Sequence, residues 1–134
     1  MRTSAFFGPW DEHNFVARLI KSATRQQKFL APSDQIITPT YVPDLVNNCL
    51  DFIIDQANGI WHITNASATT WSDFAFSALE IAGLDRNLIK PVASATSNLC
   101  ARRPANSALQ SEKGMVLPTL ADAISRFFRE VNVD

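Results

Sequence analysis

The chain has 134 residues, about one domain's length, of which 46% are apolar and 19% charged. That is a globular composition, too apolar for a disordered segment. Twelve basic against thirteen acidic side chains leave a net charge of −1, which argues against nucleic acid or a membrane surface as a general partner. No apolar run approaches the ~20 residues of a membrane helix. Met1-Arg2-Thr3-Ser4 begins no secretory core, so the cytoplasm is the expected compartment. Two cysteines do not make a disulfide framework.

The segment Arg2 to Phe7 reads as a strand ending at Gly8-Pro9. It starts abruptly, as a chain does when it is part of a larger fold. Phe15, Val16, Leu19, Ile20 and Ala23 recur at three- and four-residue spacing and predict a helix, with Asn14 or Asp11 as its cap. Residues 29–41 hold Pro32, Pro39 and the Ile36-Ile37 pair, which reads as short extended pieces and a loop. Asp44 after Pro43 reads as the N-cap of a second helix. Its apolar face is Leu45, Val46, Cys49, Leu50, Ile53 and Ile54, and Asn58-Gly59 ends it. A strand is expected at 60–64. Thr70 and Asp73 have capping-box spacing before a third helix burying Trp71, Phe74, Ala75, Ala78, Leu79 and Ala82, with Gly83 as a left-handed cap. Leu88 to Val92 is a weak strand containing Pro91, and 93–113 is polar and irregular. The last helix opens with a second capping pattern, Thr119 to Asp122, and buries Leu120, Ile124, Phe127, Phe128 and Val131. Strands alternating with helices predict an α/β fold.

The four glycines stand at 8, 59, 83 and 114, so neither GxGxxG nor GxxxxGK exists and no glycine-rich phosphate cradle is encoded. The single tyrosine, Tyr41, is followed four residues later by Leu45, so a Tyr-x-x-x-Lys pair is absent. His13 and His62 lack ligand-spaced cysteines or acids. Cys49 reads as core, and Cys100 stands in a polar loop with no activating base beside it. The positive signal is Arg102-Arg103-Pro104-Ala105-Asn106-Ser107. Between Arg86 and Lys113 the chain carries five basic residues and one acid, a net +4. Guanidinium groups on a proline-stiffened segment suit an anionic ligand, because they bind phosphate bidentately. The competing reading is a solvated loop with surface ion pairs.

Five blocks in order carry a resemblance. They are Arg2 to Pro9 with Asn14-Phe15-Val16; Ser33-Asp34-Gln35 with Thr38 to Leu45; Gly59 to Ile63 with Thr70 to Ala75; Arg102 to Leu109; and Leu117-Pro118. Together they resemble the C-terminal half of the dTDP-4-dehydrorhamnose reductase family, which are extended short-chain dehydrogenase/reductases. The likeness covers nearly the whole chain. It implies a single substrate-binding domain over 1–134 that lacks the Rossmann core. The family's Rossmann domain holds NADP or NAD and the Tyr/Lys pair, while the C-terminal domain closes on a dTDP-sugar whose 4-keto group is reduced. This chain alone is therefore expected to be inactive and to bind no cofactor itself. The resemblance assigns Arg103 to the nucleotide diphosphate and Arg102 beside it. It has Asn106 and Ser107 shaping that loop, Asn14 near the nucleotide, and Thr38 to Tyr41, Thr40 included, along the sugar or base. Trp61 and Trp71 read either as core or as base-stacking residues. The alternative is a non-catalytic interaction or regulatory module. A lone half would also expose apolar surface and leave residues 1–9 as an edge strand, which predicts self-association or fraying.

Overall fold

A computed structural model describes residues 1–96, 103–113 and 117–131 of the chain. In chain order the elements are β1 (Phe6–Phe7), α1 (Phe15–Thr24), β2 (Phe29–Pro32), β3 (Ile36–Ile37), β4 (Thr40–Tyr41), α2 (Val42–Ile54), β5 (Asn65–Ala66), β6 (Thr69–Thr70), α3 (Trp71–Ile81), β7 (Ile89–Val92), β8 (Leu117–Thr119) and α4 (Leu120–Glu130). Short 3-10 turns at Arg86–Leu88 and Ser94–Thr96 flank β7. The strands form two-stranded pairs. β1·β4, β2·β7 and β5·β8 are parallel, and β3·β6 is antiparallel.

Capping chemistry sets three of the helix starts. Asn14, not Asp11, caps α1: its Oδ1 accepts from Ala17 N at 3.0 Å while its Nδ2 donates to Gly8 O at 2.8 Å. Thr70 Oγ1 accepts from Asp73 N at 3.1 Å and donates to the Asp73 carboxylate at 2.7 Å. Thr119 Oγ1 accepts from Asp122 N at 3.3 Å. Gly83 adopts φ +68° directly after α3, the left-handed conformation expected of it. The core lies where α1, α3 and α4 meet β1 and β4. The Phe7 ring centroid sits 5.2 Å from both Tyr41 and Phe74 and 6.2 Å from Phe127, and all four side chains are buried.

The second helix departs from expectation. It begins at Val42, with Tyr41 as a cap that makes no side-chain cap bond. Pro43 has its φ preset for helix and lacks the N–H that a first turn leaves unpaired, so the chain enters the helix before Asp44. Asp44 is buried and takes both Nη atoms of Arg126 from α4, each at 2.6 Å. That ion pair is its role, and the N-cap reading is corrected. The expected apolar face is likewise not core: Val46, Leu50, Ile53 and Ile54 are all exposed, the last by 76%. Cys49, on the same helix, is half-buried with its Sγ 3.6 Å from Met1 Sδ, and is not core.

Two strand expectations shrink. Of Arg2 to Phe7 only β1 is strand, and 60–64 is reduced to a parallel bridge between Arg2 and His62. Arg2 N donates to Trp61 O at 2.7 Å and Ile63 N to Arg2 O at 3.0 Å. Pro91, by contrast, is accommodated in β7, opposite Ala31 of β2, on a pair with no third strand to demand its missing N–H.

Candidate functional site

α1, α3 and β2 converge on a cavity of about 750 Å³. Phe15 opens α1, Trp71 opens α3 and Phe29 opens β2. The Phe15 ring centroid lies 4.7 Å from Trp71 and 5.4 Å from Phe29, so the three helix and strand starts fix an aromatic wall. Leu30, Pro32, Ile37 and Val92 extend the apolar lining, and Ser4, Gln35 and Ser107 supply polar atoms. Ala5, also on the lining, turns the chain into β1 with φ +48°, a conformation a non-glycine residue adopts at some cost.

Two charged side chains line the cavity, Arg18 and Arg103, and no carboxylate does so among the described residues. Arg103 and Pro104 stand at the head of a loop held along β3. Ile36 N donates to Ala105 O at 2.8 Å and Ser107 N donates to Ile36 O at 2.9 Å. Leu109 N donates to Thr38 Oγ1 at 3.0 Å. Asn106 accepts from Ala108 N at 3.0 Å, an Asx turn that shapes the loop. Behind it, Asp34 accepts from Ser94 N at 2.9 Å and from Ser94 Oγ at 2.9 Å. Those bonds hold its carboxyl below the usual range and pin the exit of β7. The arrangement pairs an apolar, aromatic wall with guanidinium groups on one rim, which suits a ligand with a flat ring and an anionic portion.

The expected site residues divide. Arg103 and Ser107 line the cavity, and so does Trp71. Asn106 shapes the Arg103 loop from outside the lining. Arg102 and Cys100 lie outside the described residues. Asn14 is not on the lining; its carboxamide is taken up as the α1 cap. Thr40 and Tyr41 are fully buried, so the expectation that they line a ligand site is corrected. Thr40 N donates to Ala5 O at 3.1 Å, its hydroxyl accepts from Thr3 Oγ1 at 3.0 Å, and Tyr41 N donates to Asn65 Oδ1 at 2.7 Å. The Tyr41 ring lies under the Arg126 guanidinium at 4.9 Å. Burial, with Glu130 nearby, pushes its phenol well above the usual range, so Tyr41 is a neutral packing group. Trp61 packs on Phe52 at 4.7 Å and under Lys113 at 4.3 Å, away from the cavity. Arg18, Phe29 and Asn65 were not anticipated. Arg18 stands three residues after Phe15 on the same helical face. Asn65, whose Nδ2 also donates to Pro118 O at 2.7 Å, ties β4 to β8 and carries no sequence signal of that task.

No group of three metal-ligating side chains occurs among the described residues, and none of the described helices is long and apolar enough to cross a membrane. Among the described residues no glycine-rich turn opens a helix as a dinucleotide cradle would. Gly59 and Gly83 come after helices with positive φ, and a Cβ on Gly8 would stand 3.2 Å from Val42 Cβ. None of these glycines opens a helix toward a pyrophosphate.

Residues 1–132 match the family described as the RmlD substrate-binding domain, and the chain belongs to that family. The spore coat polysaccharide biosynthesis protein SpsK of Bacillus subtilis is 32% identical over 109 residues, 81% of this chain and 38% of that protein. A dTDP-4-dehydrorhamnose reductase of Aggregatibacter actinomycetemcomitans is 29% identical, covering 84% of this chain and 42% of its own length. The dTDP-4-dehydrorhamnose reductase of Bacillus anthracis, solved in complex with NADP, superposes with a TM-score of 0.89 at 29% identity, over 96% of this chain and 47% of that one. The fold is thus the α/β C-terminal, substrate-binding part of an extended short-chain dehydrogenase/reductase. The chain spans less than half the length of each of these relatives.

Proposed function

We propose that this domain binds the sugar nucleotide of a dTDP-4-dehydrorhamnose reductase-like enzyme. The cavity holds the dTDP-sugar, with Arg103 on the diphosphate and the Phe15, Phe29 and Trp71 wall beside the flat or apolar parts. The observation that carries this reading is the pairing of an aromatic wall with Arg103, which has no ion-pair partner among the described residues, in one cavity of a substrate-binding-domain family member. The whole enzyme's reaction is reduction of a 4-keto group by a nicotinamide cofactor. NADP is the expected carrier, supported by the NADP complex of the Bacillus anthracis relative. Hydride and proton donors come from a Rossmann half, since this chain has neither a dinucleotide cradle nor a Tyr-x-x-x-Lys pair. The exposed apolar face of α2 and the short Arg2–His62 bridge suit the place where such a half docks. A cytoplasmic biosynthetic setting accords with this activity. The alternative of a self-associating interaction module gains no support from the family match.

The test is an amide ¹H–¹⁵N titration with dTDP. Saturable shifts are expected at Trp71 and at Arg103 to Ser107, with a dissociation constant on the order of millimolar for a half-site. Arg103→Ala should abolish them. Undiminished binding in that variant would remove the assignment.

A further inference from the structure

We infer that Arg18 is a second anion-binding residue of this cavity, sharing the diphosphate of the proposed ligand with Arg103. The inference rests on the sugar-nucleotide reading and adds to it a residue outside the family-like loop. Arg18 and Arg103 reach the cavity from different elements, one from the middle of α1 and the other from the loop clipped to β3. The packing of Phe15 against Trp71 and Phe29 holds the Arg18 face of α1 toward the opening. Neither guanidinium makes a side-chain hydrogen bond or ion pair with a described residue. Two other arginines are already committed: Arg86 lies 3.3 Å from Glu80, and Arg126 is bound by Asp44 and Asp122. With no carboxylate on the lining among the described residues, the two positive charges act together on whatever enters, and a concave, partly apolar wall concentrates their field. A single phosphate can satisfy one guanidinium fork; a diphosphate presents a second set of oxygens to the other. Arg18 is therefore the residue that favours the diphosphate of the proposed ligand over a monophosphate at this site.

The experiment compares dTDP with dTMP on the full chain, by calorimetry or the same amide titration, in wild type, Arg18→Ala, Arg18→Lys and Arg103→Ala. Arg18 is solvent-exposed, so its variants should keep the wild-type thermal midpoint. Arg18→Ala is expected to weaken dTDP about tenfold and dTMP less than about twofold, the scale of one charge-assisted contact. Arg18→Lys should recover only part of that loss, while Arg103→Ala should abolish saturable binding of both ligands. Unchanged dTDP affinity in Arg18→Ala, or equal loss for both nucleotides, overturns the role of Arg18 and leaves the Arg103 site standing. If wild type binds neither nucleotide saturably, the site reading and this inference fall together.

Discussion

Helices α2 and α3 read alike in sequence, yet the fold uses them in opposite ways. α3 turns Phe74, Ala75, Ala78 and Leu79 into the core. α2 buries a single residue, the acidic Asp44, and leaves Val46, Leu50, Ile53 and Ile54 in solvent. The partners of α3, namely β2, β7, α1 and α4, all lie within these 134 residues. α2 is held by the Asp44–Arg126 ion pair and by Phe52 packing on Trp61. An amphipathic pattern states which face is apolar; whether that face is covered depends on what else is present to pack on it.

Truncation on each helix separates the two roles by the largest margin. Phe74→Ala should cost about 3–5 kcal/mol, the usual loss for a buried phenylalanine that leaves a cavity. Ile54→Ala should cost about 0.5 kcal/mol or less, as exposed positions do. Urea unfolding of the two variants decides it, and equal losses would mean that α2 is covered in the isolated chain. Next in size is the ion pair that anchors α2. The Asp44 and Arg126 side chains are 11% and 25% exposed. Asp44→Ala should therefore destabilise by about 2–3 kcal/mol, somewhat below the loss for a wholly buried pair. Much of that is the guanidinium left with Asp122 alone, so the double variant Asp44→Ala/Arg126→Met should recover part of it in a double-mutant cycle. The smallest effect is at Asp34. Its carboxyl is held below the ordinary range by Ser94, so its contribution is present at neutral pH and fades as pH falls through the folded-state value. Thermal midpoints of Asp34→Asn and wild type should differ slightly at about pH 7 and converge near about pH 2; a gap that widens in acid contradicts the assigned direction.

The candidate site was legible in part. Arg103-Pro104 stands out as a stiffened basic segment, and both residues line the cavity. Asn14 was chemically legible as a helix cap, which the structure shows it to be. Thr40 and Tyr41 were misplaced because polarity and aromaticity do not state depth. Thr40 faces a hydroxyl contributed by Thr3 and Tyr41 a carboxamide contributed by Asn65, both distant in sequence. Arg18 was passed over because a lone arginine on a helix looks the same whether it meets solvent or a cavity.

What the residues determined by themselves is local. Side-chain oxygens at Asn14, Thr70 and Thr119 set helix starts, Gly83 permits a left-handed turn, and three- and four-residue spacing marks the apolar faces, all through contacts within a few positions of chain. The missing glycine-rich turn was equally plain, since it is a matter of spacing alone. Tertiary structure decided the rest. It set which apolar face is buried, which strands find partners, that Asp44 meets Arg126 across 82 positions, and that Arg18 and Arg103 open onto one cavity. Those outcomes depend on contacts between segments far apart in the chain, and no local pattern records them.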